Sequence, residues 1–180
     1  MLNSIHYVVF VLASLFAPLA VEAQNKETLN GQFMEILLSF PSKFSTINDG
    51  TGKYSLKGHY RSKVQIDGTV RSALKEDIFT GKLEFVSIIL SDENKDLKEF
   101  ENAFNTWKKI IATLDLNGAK LVPYVSDRHK DNDMYIQTAA WRLDNSKNNI
   151  ESKYSTFTIW LQLLDLDQGG YMVEIVVSDE

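Results

Sequence analysis

The chain contains no cysteine. That single absence excludes disulfides, thiolate metal sites, thiol catalysis and dithiol redox chemistry, and leaves packing as the source of stability. Histidine is scarce: beyond His6 in the apolar N-terminal run there are only His59 and His129, in different halves and neither in an H-x-x-x-H spacing. No Lys or Arg precedes Lys26. G-x-S-x-G is absent, and the nine glycines form no phosphate-binding loop. The formal net charge is −5, the wrong sign for a protein that neutralises phosphates with clustered Lys and Arg, so no nucleic-acid partner is expected. No cofactor and no metal are expected either.

What is present begins with an apolar run. Residues Ile5 to Val21 carry no charged side chain, and Val21-Glu22-Ala23 places small residues at −3 and −1 before Gln24. This pattern matches a secretory cleavage site. Pro18 interrupts the run, which is also slightly shorter than the roughly 20 residues a bilayer core needs. A retained signal-anchor is the competing reading, since the basic n-region is missing. The expectation is a signal peptide over 1–23 and one domain over 24–180, secreted or periplasmic, soluble, with no membrane span after cleavage.

The remaining chain alternates between two periodicities. Leu29, Phe33, Ile36, Leu37, Phe40 and Phe44 recur at helical spacing, predicting a first helix that ends near Ser39 because Pro41 follows. Leu97, Phe100, Phe104, Trp107, Ile111 and Leu114 form a second stripe, predicting a helix from Asn94 to Leu114, capped by Asp92 or Asn94 and stopped by Asn117-Gly118. Period-two or β-branched runs predict strands at His59–Ile66, Thr69–Leu74, Lys82–Leu90, Met134–Leu143, Lys153–Asp165 and Tyr171–Ser178. Asp67-Gly68 joins the first two as a hairpin. Ala119 to Asp133 reads as irregular.

The order is helix, three strands, helix, three strands: an α+β fold with tandem αβββ-αβββ order. The expected product is an antiparallel sheet with two helices packed on one face. This element order resembles that of a secreted protein inhibitor of β-lactamase, and the resemblance rests on element order alone.

Candidate chemistry is sparse. Asp127, Asp131 and Asp133 surround His129, but Arg128 and Lys130 interrupt the acidic charge and no closing glutamate follows, so a solvated loop is expected rather than a calcium site. Asp165 and Asp167 stand beside Gly169-Gly170 and fit a hairpin turn better than a glycosidase carboxylate pair. Trp160 is the residue out of place. Phe157, Ile159, Leu161 and Leu163 occupy one face of their strand and Trp160 the other. With some of Tyr135, Trp141, Tyr171 and Arg61, Trp160 would form an aromatic-polar platform on an open sheet face, because these residue types dominate protein interfaces. The function expected is therefore a non-enzymatic domain that binds a protein, less readily a glycan or small ligand, with homodimerisation through the sheet as a further possibility. The rival is a small periplasmic hydrolase or isomerase whose acid and base meet only in the fold, drawing on His59, His129 and an aspartate.

Overall fold

The computed structural model describes residues 26–53, 58–77, 80–93, 96–126, 132–144, 151–166 and 170–179, with backbone alone at 51–53. The leader at 1–23 and the charged run at 127–131 lie outside the described residues. Helix α1 covers 26–39 and tightens into a 3₁₀ turn at Phe40–Ser42, with Pro41 where the α-helical ladder ends. The Ser39 hydroxyl donates to the Ile36 carbonyl at 2.7 Å. The chain then reverses through two left-handed residues, Lys43 (φ 54°) and Phe44 (φ 59°). Burial of the Phe44 ring against Phe40, with centroids 5.9 Å apart, offsets that backbone cost.

Four strands follow: β1 Asn48–Lys53, β2 His59–Ser62, β3 Arg71–Glu76 and β4 Leu83–Asp92. Helix α2 spans Leu97–Ala112, and after it come β5 Asp115–Leu116, β6 Ala119–Tyr124, β7 Tyr135–Leu143, β8 Phe157–Asp165 and β9 Tyr171–Asp179. The nine strands form one sheet in the order β1-β2-β3-β4-β9-β8-β7-β6-β5, and every neighbouring pair is antiparallel. The first four strands meander inward from one edge and the last five from the other, so the final strand of each series meets at the centre. Helix α2 makes this possible. Sixteen residues at ~1.5 Å rise give ~24 Å, which matches the five strand spacings of ~4.8 Å that separate β4 from β5. It packs on β4, β9, β8 and β6 along the way.

The α+β class and the antiparallel sheet agree with the sequence reading; the strand count does not. Nine strands stand where patterning marks six. β1 reads NDGTGK and has no apolar alternation; its pairing with β2 is a backbone matter at a sheet edge. β5 and β6 fall at the end of the second predicted helix and in the stretch read as irregular. Asn117-Gly118 does not terminate α2, which stops at Thr113. It forms the two-residue turn of the β5–β6 hairpin, with φ of 55° and 84°, as a type I′ turn requires. The α2 cap is Asp96, whose side chain accepts from the Lys98 amide, not Asp92 or Asn94.

Asp67-Gly68 also serves differently from the tight hairpin expected. Thr69 N donates to Ile66 O at 3.2 Å, and of the two central residues only Gly68 has positive φ (+80°), a type II pattern inside a longer connection. A Cβ on Gly68 would stand 3.3 Å from Trp107 Cζ2, so both the backbone angle and the indole of α2 require glycine here. A closed ring of hydrogen bonds holds this connection. Ile66 N donates to Ser72 Oγ (3.2 Å), Ser72 and Ser87 hydroxyls pair (2.8 Å), Ser87 Oγ donates to Thr69 Oγ1 (2.8 Å), and Thr69 Oγ1 donates to Ile66 O (2.7 Å). The ring starts and ends on one residue's backbone, so its members polarise one another. Gln32 of α1 clasps the same turn: its amide donates to Asp67 Oδ1 and accepts from Asp67 N, both at 2.9 Å.

Candidate functional site on the outer sheet face

Strand register assigns each side chain to a face. One cluster unites Phe33, Ile36 and Leu37 of α1, Phe100, Phe104, Trp107 and Ile111 of α2, and Leu74, Phe85, Val177, Ile159 and Trp141 of the sheet. These last five are successive cross-strand partners from β3 to β7, and they define the inner face. Their strand neighbours point outward, and the next row on that outer face is Arg61, Ala73, Val86, Val176, Trp160, Ala140 and Tyr124. Beside it runs Arg71, Ile88, Glu174, Gln162 and Thr138. On the other flank lie His59, Lys75 and Glu84 at one end and Ser178, Thr158, Arg142 and Val122 at the other.

Register therefore divides the five residues singled out in the sequence. Trp160 and Arg61 lie in one outer row, four strands apart. Tyr135, half-buried at the start of β7, pairs with Leu164 where the register shifts. Trp141 lies in the inner cluster at 3 % exposure, and Tyr171 packs on Phe100 with centroids 5.5 Å apart. Trp141 belongs to the main apolar cluster and Tyr171 packs against it, apart from Trp160 and Arg61. Trp160 itself is only 2 % exposed. It forms a small second cluster with Val176 and Ala140, against which Val86 and Tyr124 pack, and its Nε1 donates to Ser178 Oγ at 3.1 Å. An indole that packs on one side and donates on the other has both its demands met.

Arg142 was not singled out from sequence, where it is one polar residue in a mixed strand. Its guanidinium lies 3.5 Å over the Tyr124 ring, and its Nε donates to Thr158 Oγ1 at 3.1 Å, a cation–π stack fixed in place by a hydrogen bond. Glu174 was missed too. It is 9 % exposed, lies between Ile88 and Gln162, and accepts no hydrogen bond among the described residues. Burial pushes its carboxyl from 4.5 up to about 7, opposed by the Lys75 ammonium and aided by the Glu84 carboxylate.

Exposed apolar side chains concentrate at the β6–β7 end. Val122, Val125, Met134 and Ile136 are four of the six large exposed hydrophobics, and Val125 is 91 % exposed. All four belong to β6, β7 or the residues next to them: Val122 and Val125 flank Tyr124 along the chain, and Met134 and Ile136 lie at the other end of β7 from Arg142. Two clefts flank α1. The larger, about 690 Å³, lies between Lys26, Leu29, the Asp67–Gly68 turn, Trp107 and Ile110; the other is about 580 Å³ and runs along Asn30, Met34 and Leu38 toward Asp115. His59 lines neither. No group of three metal-ligating side chains occurs among the described residues, and no described helix is long and apolar enough to cross a membrane. The β8–β9 hairpin pairs as far as Asp165 with Tyr171, which puts residues 166–170 in its connection. Comparison with known proteins finds no family model, no curated protein and no solved structure that matches this chain.

Proposed function

We propose that this chain is an exported, non-enzymatic interaction domain that docks a protein on the outer face of its sheet. In this reading the helix-and-meander units are two tandem halves whose helices share the inner face, and the exposed β6–β7 side of the outer face is left for a partner. The observation that carries it is that Val122, Val125, Met134 and Ile136 are exposed on or next to β6 and β7, the strands that also hold the Tyr124–Arg142 stack. Exposed aliphatics together with Tyr and Arg are residue types of an interface core. Trp160 supports that surface from below and is not itself the contact. Export rests on the apolar run of Ile5 to Val21 and the Val21-Glu22-Ala23 motif.

The test is retention of a partner from the envelope extract of the source organism. Val125→Asp with Ile136→Asp should keep the fold, since both positions are exposed, and lose the partner that the wild type retains. Retention of nothing by the wild type would sink the docking reading. Capture of the chain's own second copy, read by sedimentation, would replace the hetero-partner with a homodimer. N-terminal sequencing of the exported protein should begin at Gln24.

A further inference from the structure

The larger of the two clefts, about 690 Å³, lies where the start of α1 and the end of α2 meet the Asp67–Gly68 turn. None of its lining residues belongs to β6 or β7, so it stands apart from the proposed docking surface. Its walls are mostly apolar, from Leu29 on one helix and Trp107, Ile110 and Leu114 on or just after the other. A concavity of that size and lining suits a small ligand, which the few polar groups present would orient.

Trp107 supplies the first of those polar groups. It is 6 % exposed, and its Nε1 donates to nothing among the described residues. A Cβ on Gly68 would meet Trp107 Cζ2 at 3.3 Å, and Cζ2 is bonded to the ring carbon that carries Nε1. The N–H edge of the indole is therefore the edge turned to the Gly68 wall of the cleft. Trp160 shows the satisfied arrangement, its Nε1 given to Ser178. Trp141 is unpartnered too, but it lines neither cleft. A buried indole N–H without an acceptor is costly, and an acceptor brought by a ligand would remove that cost.

Two opposite charges share the same cleft without neutralising each other. Lys26 is exposed and makes no ion pair among the described residues. Asp67 makes none either; Gln32 Nε2 holds its Oδ1 at 2.9 Å, and its other oxygen accepts nothing among the described residues. Thr113 ends α2 at this point, and a helix C-terminus carries partial negative charge, the sign of Asp67. Lys26 thus suits a carboxylate, and Asp67 with the end of α2 suits an ammonium. A fatty acid would leave Asp67 beside an anion, and an apolar amine would leave Lys26 beside a cation. A zwitterion with an apolar body matches both. Once its carboxylate is taken by Lys26, only a peptide has a further carbonyl for Trp107 Nε1. We propose that this cleft binds a short apolar peptide with free termini, its carboxylate at Lys26, its ammonium at Asp67 and a backbone carbonyl on Trp107 Nε1.

Leucyl-leucine is the probe, titrated calorimetrically into the purified protein as its cell processes it. Saturable binding is expected at about 1 mM or tighter. Acetylating the amine or amidating the carboxylate should each weaken it about fivefold or more. Lys26→Gln should bind leucyl-leucine and leucyl-leucinamide alike while still preferring the free amine. Asp67→Asn should bind the free and acetylated amines alike while still preferring the free carboxylate. Each variant then erases one preference and keeps the other, which a general loss of structure would not do. Trp107→Phe keeps a ring in the wall, removes the donor and should weaken binding about threefold to tenfold. No saturable binding of leucyl-leucine, both preferences intact in Lys26→Gln and Asp67→Asn, or tighter binding of free leucine or decanoate would each overturn the proposal.

Discussion

Strands β8 and β9 present two faces of equal burial and unequal chemistry. Inward they show Phe157, Ile159, Leu161, Leu163, Val173, Ile175 and Val177, all apolar and all at 0 % exposure. Outward they show Thr158, Trp160, Gln162, Glu174, Val176 and Ser178, again buried, but mostly polar. The inner set belongs to one apolar cluster with residues of α1 and α2 and needs only shape. On the outer set every polar atom needs a partner, because an unpaired buried polar group costs more than a made hydrogen bond returns. Trp160 and Ser178 satisfy each other, and Arg142 satisfies Thr158. Glu174 is the exception, a carboxyl that accepts no hydrogen bond among the described residues. Burial alone thus does not distinguish the two faces; the polar inventory does.

Substitutions on the two faces should separate them by size and by sign. The largest effect belongs to the inner face. Phe157→Ala removes a ring packed edge-on against Phe40 at 5.2 Å and should cost ~3–5 kcal/mol in urea denaturation. A loss under ~1 kcal/mol would mean the inner cluster collapses readily around the vacancy, and that the contrast between the faces is overstated.

Glu174→Gln should act the other way and depend on pH. With the folded carboxyl raised to about 7 against 4.5 unfolded, the folded state holds the proton more tightly. Stability is therefore fully present below about pH 4.5 and falls as pH rises toward 7 and past it, by on the order of 3 kcal/mol. The Gln variant should be level with the wild type near pH 4, more stable above pH 7, and flat between. A wild-type stability that does not fall over this window would show the carboxyl is ordinary.

Ser87→Ala breaks the buried hydroxyl ring that closes on Ile66 and should cost ~1–3 kcal/mol. If instead the loss is within ~0.5 kcal/mol, the ring contributes no cooperativity. The smallest effect concerns neither face: Lys43→Gly relieves a left-handed lysine at φ 54° and should stabilise by up to ~1 kcal/mol, less the extra entropy of an unfolded glycine. Destabilisation there would mean the lysine side chain contributes more than its backbone costs.

Much of the fold was legible in local pattern. The stripe from Leu97 to Ile111 gave α2, Pro41 gave the end of α1, and the strand at Phe157 is paired out to Asp165. What pattern missed had none to show. β1 is three parts turn residues, and β6 holds Pro123, tolerable because β5 ends after two residues and leaves Leu121–Tyr124 with β7 alone as a described neighbour. The candidate site was less legible. β7 reads Tyr135-Gln137-Ala139-Trp141 on one side and Ile136-Thr138-Ala140-Arg142 on the other, two sets of similar polarity, so alternation could not say which was inward.

The sequence by itself determined the two helical stripes, the strand character of the C-terminal third, the lack of thiol chemistry and the apolar run from Ile5 to Val21, because each is read from the residues themselves or from neighbours close in the chain. Only the tertiary structure decided that Trp141 and Tyr171 are core while Trp160 and Arg61 face outward together, and that Arg142 stacks on Tyr124. Those facts depend on strand register, and a shift of one residue exchanges the faces of a strand. Register is set by pairing between segments up to about a hundred residues apart, such as Phe85 with Val177, which no window along the chain contains.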